Sequence, residues 1–166
     1  MEHGKGVICM RVAGIDAATV RTGMSLFADN KLDKYELIDL HRDKNADKRI
    51  PIMQNTIEDV LDDWEPDLVC IEDSWQGRNA DTDKKIAYII GAVMAYCNRN
   101  NIRFEKMYPS EWRRKVGIAQ GKKKREELKQ ASIDYVKARF GVDVSDDVAD
   151  AICVGYAGCL NDDELF

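Results

Sequence analysis

The sequence has little of what several common kinds of protein site depend on. It contains two histidines in 166 residues, one of them in the amino-terminal tail, so catalysis or metal binding through imidazole has little to work with. Its five cysteines are odd in number and form no Cys-x-x-Cys pair. That pattern argues against a zinc site or a disulfide framework, and we expect buried thiols in a reducing cytoplasm.

The sequence also lacks a long apolar run. Its first six residues contain no apolar signal region, and the longest apolar segment, residues 86–97, is shorter than the about 20 residues that a membrane-spanning helix needs. We therefore expect a cytoplasmic protein. The chain length and a hydrophobic content of 45% predict one domain over residues 1–166, with a flexible tail at 1–6.

Hydrophobic patterning predicts an α/β domain with three layers. The first three strands should form an antiparallel meander, with Asp29 and Asn30 supplying a turn. The predicted strands are residues 7–16, 22–28, 35–40, 68–71 and 103–107. The predicted helices are residues 46–64, 81–99, a short helix opening at Pro109, 122–140, and a last helix that Ser145 caps and that runs to about Leu160.

The helix predicted over residues 81–99 is unusual because its middle, residues 86–97, is apolar all round. Such a helix should be covered on more than one side. Two interpretations remain open: an ordinary core helix, or a subunit interface.

Four acidic residues lie where predicted buried elements begin or end. Asp16 ends the first strand, and Glu72 ends an apolar strand at the carboxyl edge, where α/β sheets place ligands. Asp147 and Asp150 lie one turn apart on the apolar last helix. Burying an ionised carboxylate costs several kcal/mol, roughly, unless something compensates it, and a divalent cation is the obvious compensation.

Some of the acids in these segments also have a purely structural interpretation. Asp16 could cap a turn, and the helix dipole alone explains Asp146 and Asp147 in the first turn of the last helix. Asp150 lies beyond that turn among apolar neighbours, which makes it the most informative of the group. Oxygen ligands without histidine favour Mg²⁺, with two ions per site as in phosphoryl chemistry and with Mn²⁺ as an alternative metal.

Positive charge is concentrated in one stretch of an acidic protein. Residues 113–129 carry eight Lys or Arg against two Glu, a local charge of +6 that leaves −11 elsewhere. A single basic block on an acidic body favours contact with a DNA backbone over a merely solvated helix face. The candidate DNA-binding residues in it are Arg113, Arg114, Lys115, Lys122, Lys123 and Lys124. The aromatic residues Tyr108 and Trp112 are expected to lie in the core.

The order of these motifs resembles the RuvC family of Holliday-junction resolvases, within the ribonuclease H-like superfamily. The resemblance is carried by Gly14-Ile-Asp16, Ile71-Glu72 and Asp147-x-x-Asp150-Ala, and it extends from Gly14 to about Gly155. It implies a ribonuclease H-like fold whose mixed five-stranded sheet has three antiparallel and then parallel strands. It also implies that these four acids are catalytic and hold divalent metal.

The resemblance has further implications. Family members place an aromatic side chain three residues after the second acid, where it helps to open the junction, and Trp75 stands there, with Arg78 in the same loop as a further candidate for DNA contact. The family also implies a homodimer. The compact, divergent form is similar to bacteriophage members, in which case the location would be the host cytoplasm.

Together these features predict a Mg²⁺-dependent endonuclease that resolves Holliday junctions, and other branched DNA, by paired nicks. Alternatives within the superfamily are a general debranching nuclease, a nuclease of RNA–DNA hybrids or an exonuclease. A non-catalytic module that binds branched DNA is another alternative. Residues 14–23 also resemble the first phosphate loop of actin-like ATPases and sugar kinases, but those folds need a duplicated domain that 166 residues cannot supply.

Overall fold

The computed structural model describes residues 10–73 and 79–160. Within them, five strands form one sheet in the order β3-β2-β1-β4-β5. The strands are β1 (Arg11–Asp16), β2 (Arg21–Ala28), β3 (Lys31–Asp39), β4 (Leu68–Glu72) and β5 (Arg103–Met107). The helices are α1 (Ala46–Trp64), α2 (Ala80–Arg99), α3 (Pro109–Val116), α4 (Arg125–Phe140) and α5 (Asp146–Cys159). The strands β1, β2 and β3 pair antiparallel, whereas β1, β4 and β5 pair parallel, which confirms the predicted mixed sheet.

The hairpin between β2 and β3 explains why β3 is longer than predicted. Asp29 and Asn30 both adopt positive φ angles, of 50° and 62°, as a tight two-residue hairpin turn requires. Pairing therefore resumes at once, with Ala28 opposite Lys31. The first half of β3 is polar and exposed because it lies at the edge of the sheet, so it carried little hydrophobic signal.

The sheet is covered on both faces, which gives the three predicted layers. One core cluster joins one face of the sheet to α1 and α2, and a second joins the other face to α3, α4 and α5. Helix α1 has the predicted bounds; the Asn45 side chain caps its start. The cysteines at 70, 97, 153 and 159 are buried free thiols, as predicted, and Cys9 lies outside the described residues.

The prediction that a helix begins at Lys122 is wrong. Helix α4 begins at Arg125, and Lys124 is its N-cap residue. The Glu127 carboxylate accepts a hydrogen bond from the Lys124 backbone N–H at 2.6 Å, which is the reciprocal half of a capping box. Lys122 and Lys123 therefore precede the helix.

Within the part of the chain that the structure describes, helix α2 is covered on one side only. Ile89, Val93 and Cys97 face the core, but Tyr88 and Met94 on the opposite side are 49% and 50% exposed. The cover that the apolar pattern predicts for a second side of α2 is therefore not supplied by the described residues. Among the described residues, the helices are too short or too polar to span a bilayer.

Candidate metal centre and nucleic-acid interface

Asp16 and Glu72 lie side by side at one edge of the sheet. Strands β1 and β4 are parallel neighbours, with Ile15 opposite Ile71, so the two acids that follow end on the same side. Neighbouring strands lie about 4.8 Å apart, which brings these two side chains within reach of a shared ligand. On its other side, Asp16 pairs with Gly23 of β2.

Helix α5 brings the other two acids to this edge because glycines allow it to lie directly on the sheet. A Cβ atom on Gly23 would lie 2.1 Å from the Asp147 carbonyl oxygen, and one on Gly14 would lie 2.3 Å from the Ala151 carbonyl oxygen. The Ser25 hydroxyl also donates a hydrogen bond of 2.8 Å to the Ala151 carbonyl. The glycine of the Gly-Ile-Asp motif thus has a packing role, which sequence reasoning did not assign.

The acids at this edge perturb one another. Burial, and then the negative charges of Glu72, Asp150, Asp147 and Asp146, raise the pKa of Asp16 well above its usual range. Burial raises the pKa of Asp150 to about 6, against the opposing effects of the Ser132 hydroxyl and the Arg113 guanidinium. The pKa of Asp147 is also raised, mainly by burial. The structure therefore places the other three predicted acids within electrostatic reach of the Asp16 carboxyl group.

Asp146 is different from its neighbours in the cluster. Its carboxylate pairs with the ammonium of Lys129 on α4, with a distance of 2.6 Å between Nζ and Oδ2. The hydrogen bond from Lys129 holds the pKa of Asp146 below its usual value. A carboxylate that already has a cation needs no metal, so this geometry separates Asp146 from Asp147 and Asp150.

The donor set fits a hard divalent cation. The Oδ1 atom of Asp150 is buried and has no hydrogen-bond partner among the described residues, a state that costs about 1–3 kcal/mol or more for a charged group. Within residues 10–73 and 79–160, no three Asp, Glu, His or Cys side chains are close enough together to form a complete metal-binding group. Like charges repel, and an oxygen-coordinated cation would supply both the attraction and the missing partner for Asp150.

Trp112 contacts the site, which sequence reasoning missed. Its indole Nε1 donates a hydrogen bond of 2.7 Å to the Oε2 atom of Glu72. The residue is fully buried, as predicted, whereas Tyr108 is 38% exposed, so the expectation of a core position for Tyr108 is wrong. The two partners of this bond are 40 residues apart, so no periodic pattern signals it.

The basic residues lie on the segments next to the acids. Arg113, Arg114 and Lys115 form the last turn of α3. The segment Lys122–Lys124 is exposed and leads into α4, where Lys129, about 8 Å further along, contacts Asp146. The Arg113 guanidinium stacks on the Trp112 ring, 4.5 Å from its centroid. Trp75 and Arg78 lie outside the described residues.

Comparisons with known proteins are consistent with this arrangement. Curated relatives include the crossover junction endodeoxyribonucleases RuvC of Fusobacterium nucleatum, 27% identical over 159 residues (91% of this chain and 82% of that protein), and of Rickettsia typhi, 26% identical over 155 residues (91% and 98%).

Two solved structures share the fold. One is Thermus thermophilus RuvC in complex with a Holliday junction substrate, with a TM-score of 0.72 at 19% identity, covering 89% of this chain and 91% of that one. The other is the yeast mitochondrial Holliday junction resolvase Ydc2, with a TM-score of 0.61 at 16% identity, covering 91% of this chain and 78% of that one.

The family model described as crossover junction endodeoxyribonuclease RuvC matches residues 12–154, which include all four acids. The chain therefore belongs to the RuvC family of crossover junction endodeoxyribonucleases, the enzymes that resolve Holliday junctions.

Proposed function

We propose that Asp16, Glu72, Asp147 and Asp150 hold the divalent metal with which this enzyme hydrolyses backbone phosphodiesters in Holliday junctions. Membership of the family implies dependence on a divalent metal. We propose further that the metal is Mg²⁺, that each site holds two ions, and that Mn²⁺ can substitute. The observation that carries it is the buried Asp150 Oδ1 atom, which has no partner among the described residues, in a cluster where burial and then the neighbouring negative charges raise the pKa of Asp16.

The chemistry divides between the metal and the chain. When bound, paired divalent cations supply activation of the attacking water and stabilisation of the departing oxygen. The chain supplies a rigid frame: Gly14 and Gly23 fix α5 against the sheet, so that the separation of Asp16 from Asp147 and Asp150 is set by backbone packing. Partial burial of these carboxylates also excludes water, which strengthens electrostatic interactions in the site.

We assign DNA backbone contact to the basic residues beside the acids. Four of these side chains are exposed and belong to none of the ion pairs among the described residues: Arg114, Lys122, Lys123 and Lys124. Arg113 and Lys115 are half-buried and remain assigned with them. From the family resemblance, Trp75 and Arg78 are proposed to contact unpaired bases or phosphates at the junction.

Neutralising Lys122, Lys123 and Lys124 to Gln should weaken junction binding and flatten its salt dependence. Each lost phosphate contact removes about one unit from the slope of log K against log salt, so we expect the slope to fall by about 2–3. Fluorescence anisotropy over a salt series, without divalent metal, measures it. The control neutralises Lys31, Lys34 and Lys137, of which Lys137 lies about 20 Å from Lys124 along α4. An equal fall in both triple variants would contradict the assignment.

We further propose that the exposed face of α2 joins two copies of the chain. Half-exposed Tyr88 and Met94 would be covered there, and a two-fold dimer presents one site to each of two opposed strands of a four-way junction. Paired nicking is the test of the function as a whole. A supercoiled plasmid with an extruded cruciform should yield linear product, because both strands are cut while the dimer stays bound.

Met94→Glu places a charge on this face and should shift the product to nicked circle, while sedimentation should show a monomer. Ile52→Glu, at a comparably exposed apolar residue on α1, is the control and should leave both results unchanged. Nicked circle as the main product of the unmodified chain would contradict paired nicking. Linear product from a monomeric Met94→Glu variant would contradict the role of the α2 face.

A further inference from the structure

Trp112 is the largest fully buried side chain of the described residues, and its one polar atom points at an acid of the metal site. Its Nε1 lies 2.7 Å from Oε2 of Glu72. A buried indole N–H needs a hydrogen-bond partner. Here that partner is a carboxylate proposed to bind metal, so packing of the core and orientation of the site depend on the same side chain.

The local fold holds the indole in place. Strand β5 lies next to β4, so helix α3, which begins two residues after β5 ends, starts beside Glu72. The Glu111 carboxylate accepts a hydrogen bond of 2.7 Å from the Tyr108 backbone N–H, which fixes the first turn of α3. The Arg113 guanidinium lies over the Trp112 ring, and such a contact restricts rotation of the ring as well as stabilising it.

A neutral donor is well suited to orienting a metal-binding carboxylate. The indole N–H donates and cannot accept, so it binds a carboxylate oxygen of Glu72 without bringing a positive charge that would repel a cation. The bond also restricts the side-chain torsions of Glu72 before metal binds. Less conformational entropy is then lost when the carboxylate binds the metal. Hydrogen bonds of this kind around ligating residues commonly tune metal affinity.

We infer that Trp112 is a positioning residue for Glu72 and that its indole N–H hydrogen bond helps to set the affinity of the site for divalent metal. The inference rests on the proposed function, in which Glu72 binds the metal.

The test is direct Mn²⁺ binding, followed through the electron paramagnetic resonance signal of free Mn²⁺. Trp112→Phe keeps an aromatic ring and removes the donor. We expect it to raise the half-saturating Mn²⁺ concentration by about 10-fold to 100-fold, the usual effect of losing a partner of a metal ligand. Metal-free junction binding should change by less than about twofold. Trp64→Phe, at another buried tryptophan, on α1, is the matched control and should leave Mn²⁺ binding unchanged.

A second measurement covers the case in which Trp112→Phe fails to fold. In a Trp64→Phe, Trp75→Phe background, Trp112 is the remaining tryptophan of the sequence, and paramagnetic Mn²⁺ bound at Glu72 should quench its fluorescence. Unchanged Mn²⁺ affinity in a folded Trp112→Phe variant would overturn the inference alone. No quenching of Trp112 at saturating Mn²⁺ would overturn both the inference and the assignment of Glu72 to the metal site. If the unmodified chain binds no Mn²⁺, both this inference and the metal site of the proposed function are wrong.

Discussion

Asp150→Asn should reduce metal-dependent cleavage of a four-way junction by about a thousandfold or more, while junction binding stays within about twofold. The substitution keeps size and shape but removes the charge of a carboxylate whose Oδ1 atom is buried and has no partner in the described part of the chain. If that oxygen binds metal, its loss should cost about 4 kcal/mol of transition-state stabilisation, which corresponds to about a thousandfold in rate. Single-turnover cleavage of end-labelled junction measures the effect.

Asp146→Asn is the matched control for this prediction. It makes the same chemical change four residues earlier on α5, at a carboxylate that already pairs with Lys129. We expect cleavage to fall by less than about tenfold, since an exposed or partly exposed ion pair contributes about 1 kcal/mol or less. Equal losses in the two variants would show that the loss follows from the charge of α5 as a whole and not from ligation by Asp150.

Asp150→Asn should also change how the melting temperature depends on pH, and this change distinguishes loss of a metal ligand from misfolding. Because the pKa of Asp150 is raised from 3.8 to about 6 by burial, the folded protein binds this proton more tightly than the unfolded chain between those values. Stability of the metal-free protein should therefore rise as the pH falls through about 6 and level off below about 4. Metal-free Asp150→Asn lacks this penalty and should melt a few degrees above the unmodified chain at pH 8.

The difference in melting temperature should narrow as the pH is lowered from 7 to 4. Thermal melts in chelator, at several pH values, measure it. If the variant melts at a lower temperature than the unmodified chain at every pH, Asp150 stabilises the metal-free fold. That result would contradict the interpretation of Asp150 as a buried carboxylate whose partner is the metal.

Gly23→Ala should impair both stability and cleavage, although residue 23 carries no chemistry. The new methyl group would lie 2.1 Å from the Asp147 carbonyl oxygen, whereas ordinary contact begins near 3.4 Å, so the start of α5 must move by about 1 Å. A displacement of that size at a catalytic group can cost about a hundredfold in rate. Overpacking of this kind costs about 1–3 kcal/mol, or roughly 3–10 °C in melting temperature for a chain of this length.

Gly91→Ala, on the face of α2 proposed to join two copies, is the control for melting temperature only. It adds the same methyl group where no described atom outside the backbone of that helix lies within 4 Å. Its melting temperature should stay or rise, because alanine favours the helix over glycine. Normal cleavage by Gly23→Ala would show that α5 can move without consequence for the acids, and the idea that glycine contacts set the spacing of the site would then be wrong.

Sequence patterns predicted the regular elements of this fold well where one face is buried. Helix α1 matched its predicted bounds because apolar residues recur on one face and Pro66 follows as a stop. The start of α4 could not be found in the same way. A capping box between Lys124 and Glu127 sets it, and lysines before the helix are as compatible with helix as those within it.

The candidate site was predictable in its carboxylates but not in their partners. Asp16 and Glu72 end strands that periodicity identifies, so their meeting at one edge follows from parallel pairing. The partners come from tertiary contacts between residues far apart in sequence, which local patterns do not encode. The Trp112 bond to Glu72 and the Lys129 pair with Asp146 are the two that alter the interpretation of the site.

Cleavage of end-labelled four-way junction, fork and linear duplex DNA in Mg²⁺, with the unmodified chain and with Asp16→Asn, tests the central claim most directly. We expect symmetric nicks in the junction, no cutting of linear duplex, and loss of all cutting in Asp16→Asn with junction binding retained. Equal cutting of forks and junctions would indicate a general debranching nuclease. Cleavage that persists in Asp16→Asn, or that needs no divalent metal, would contradict the account of the four carboxylates.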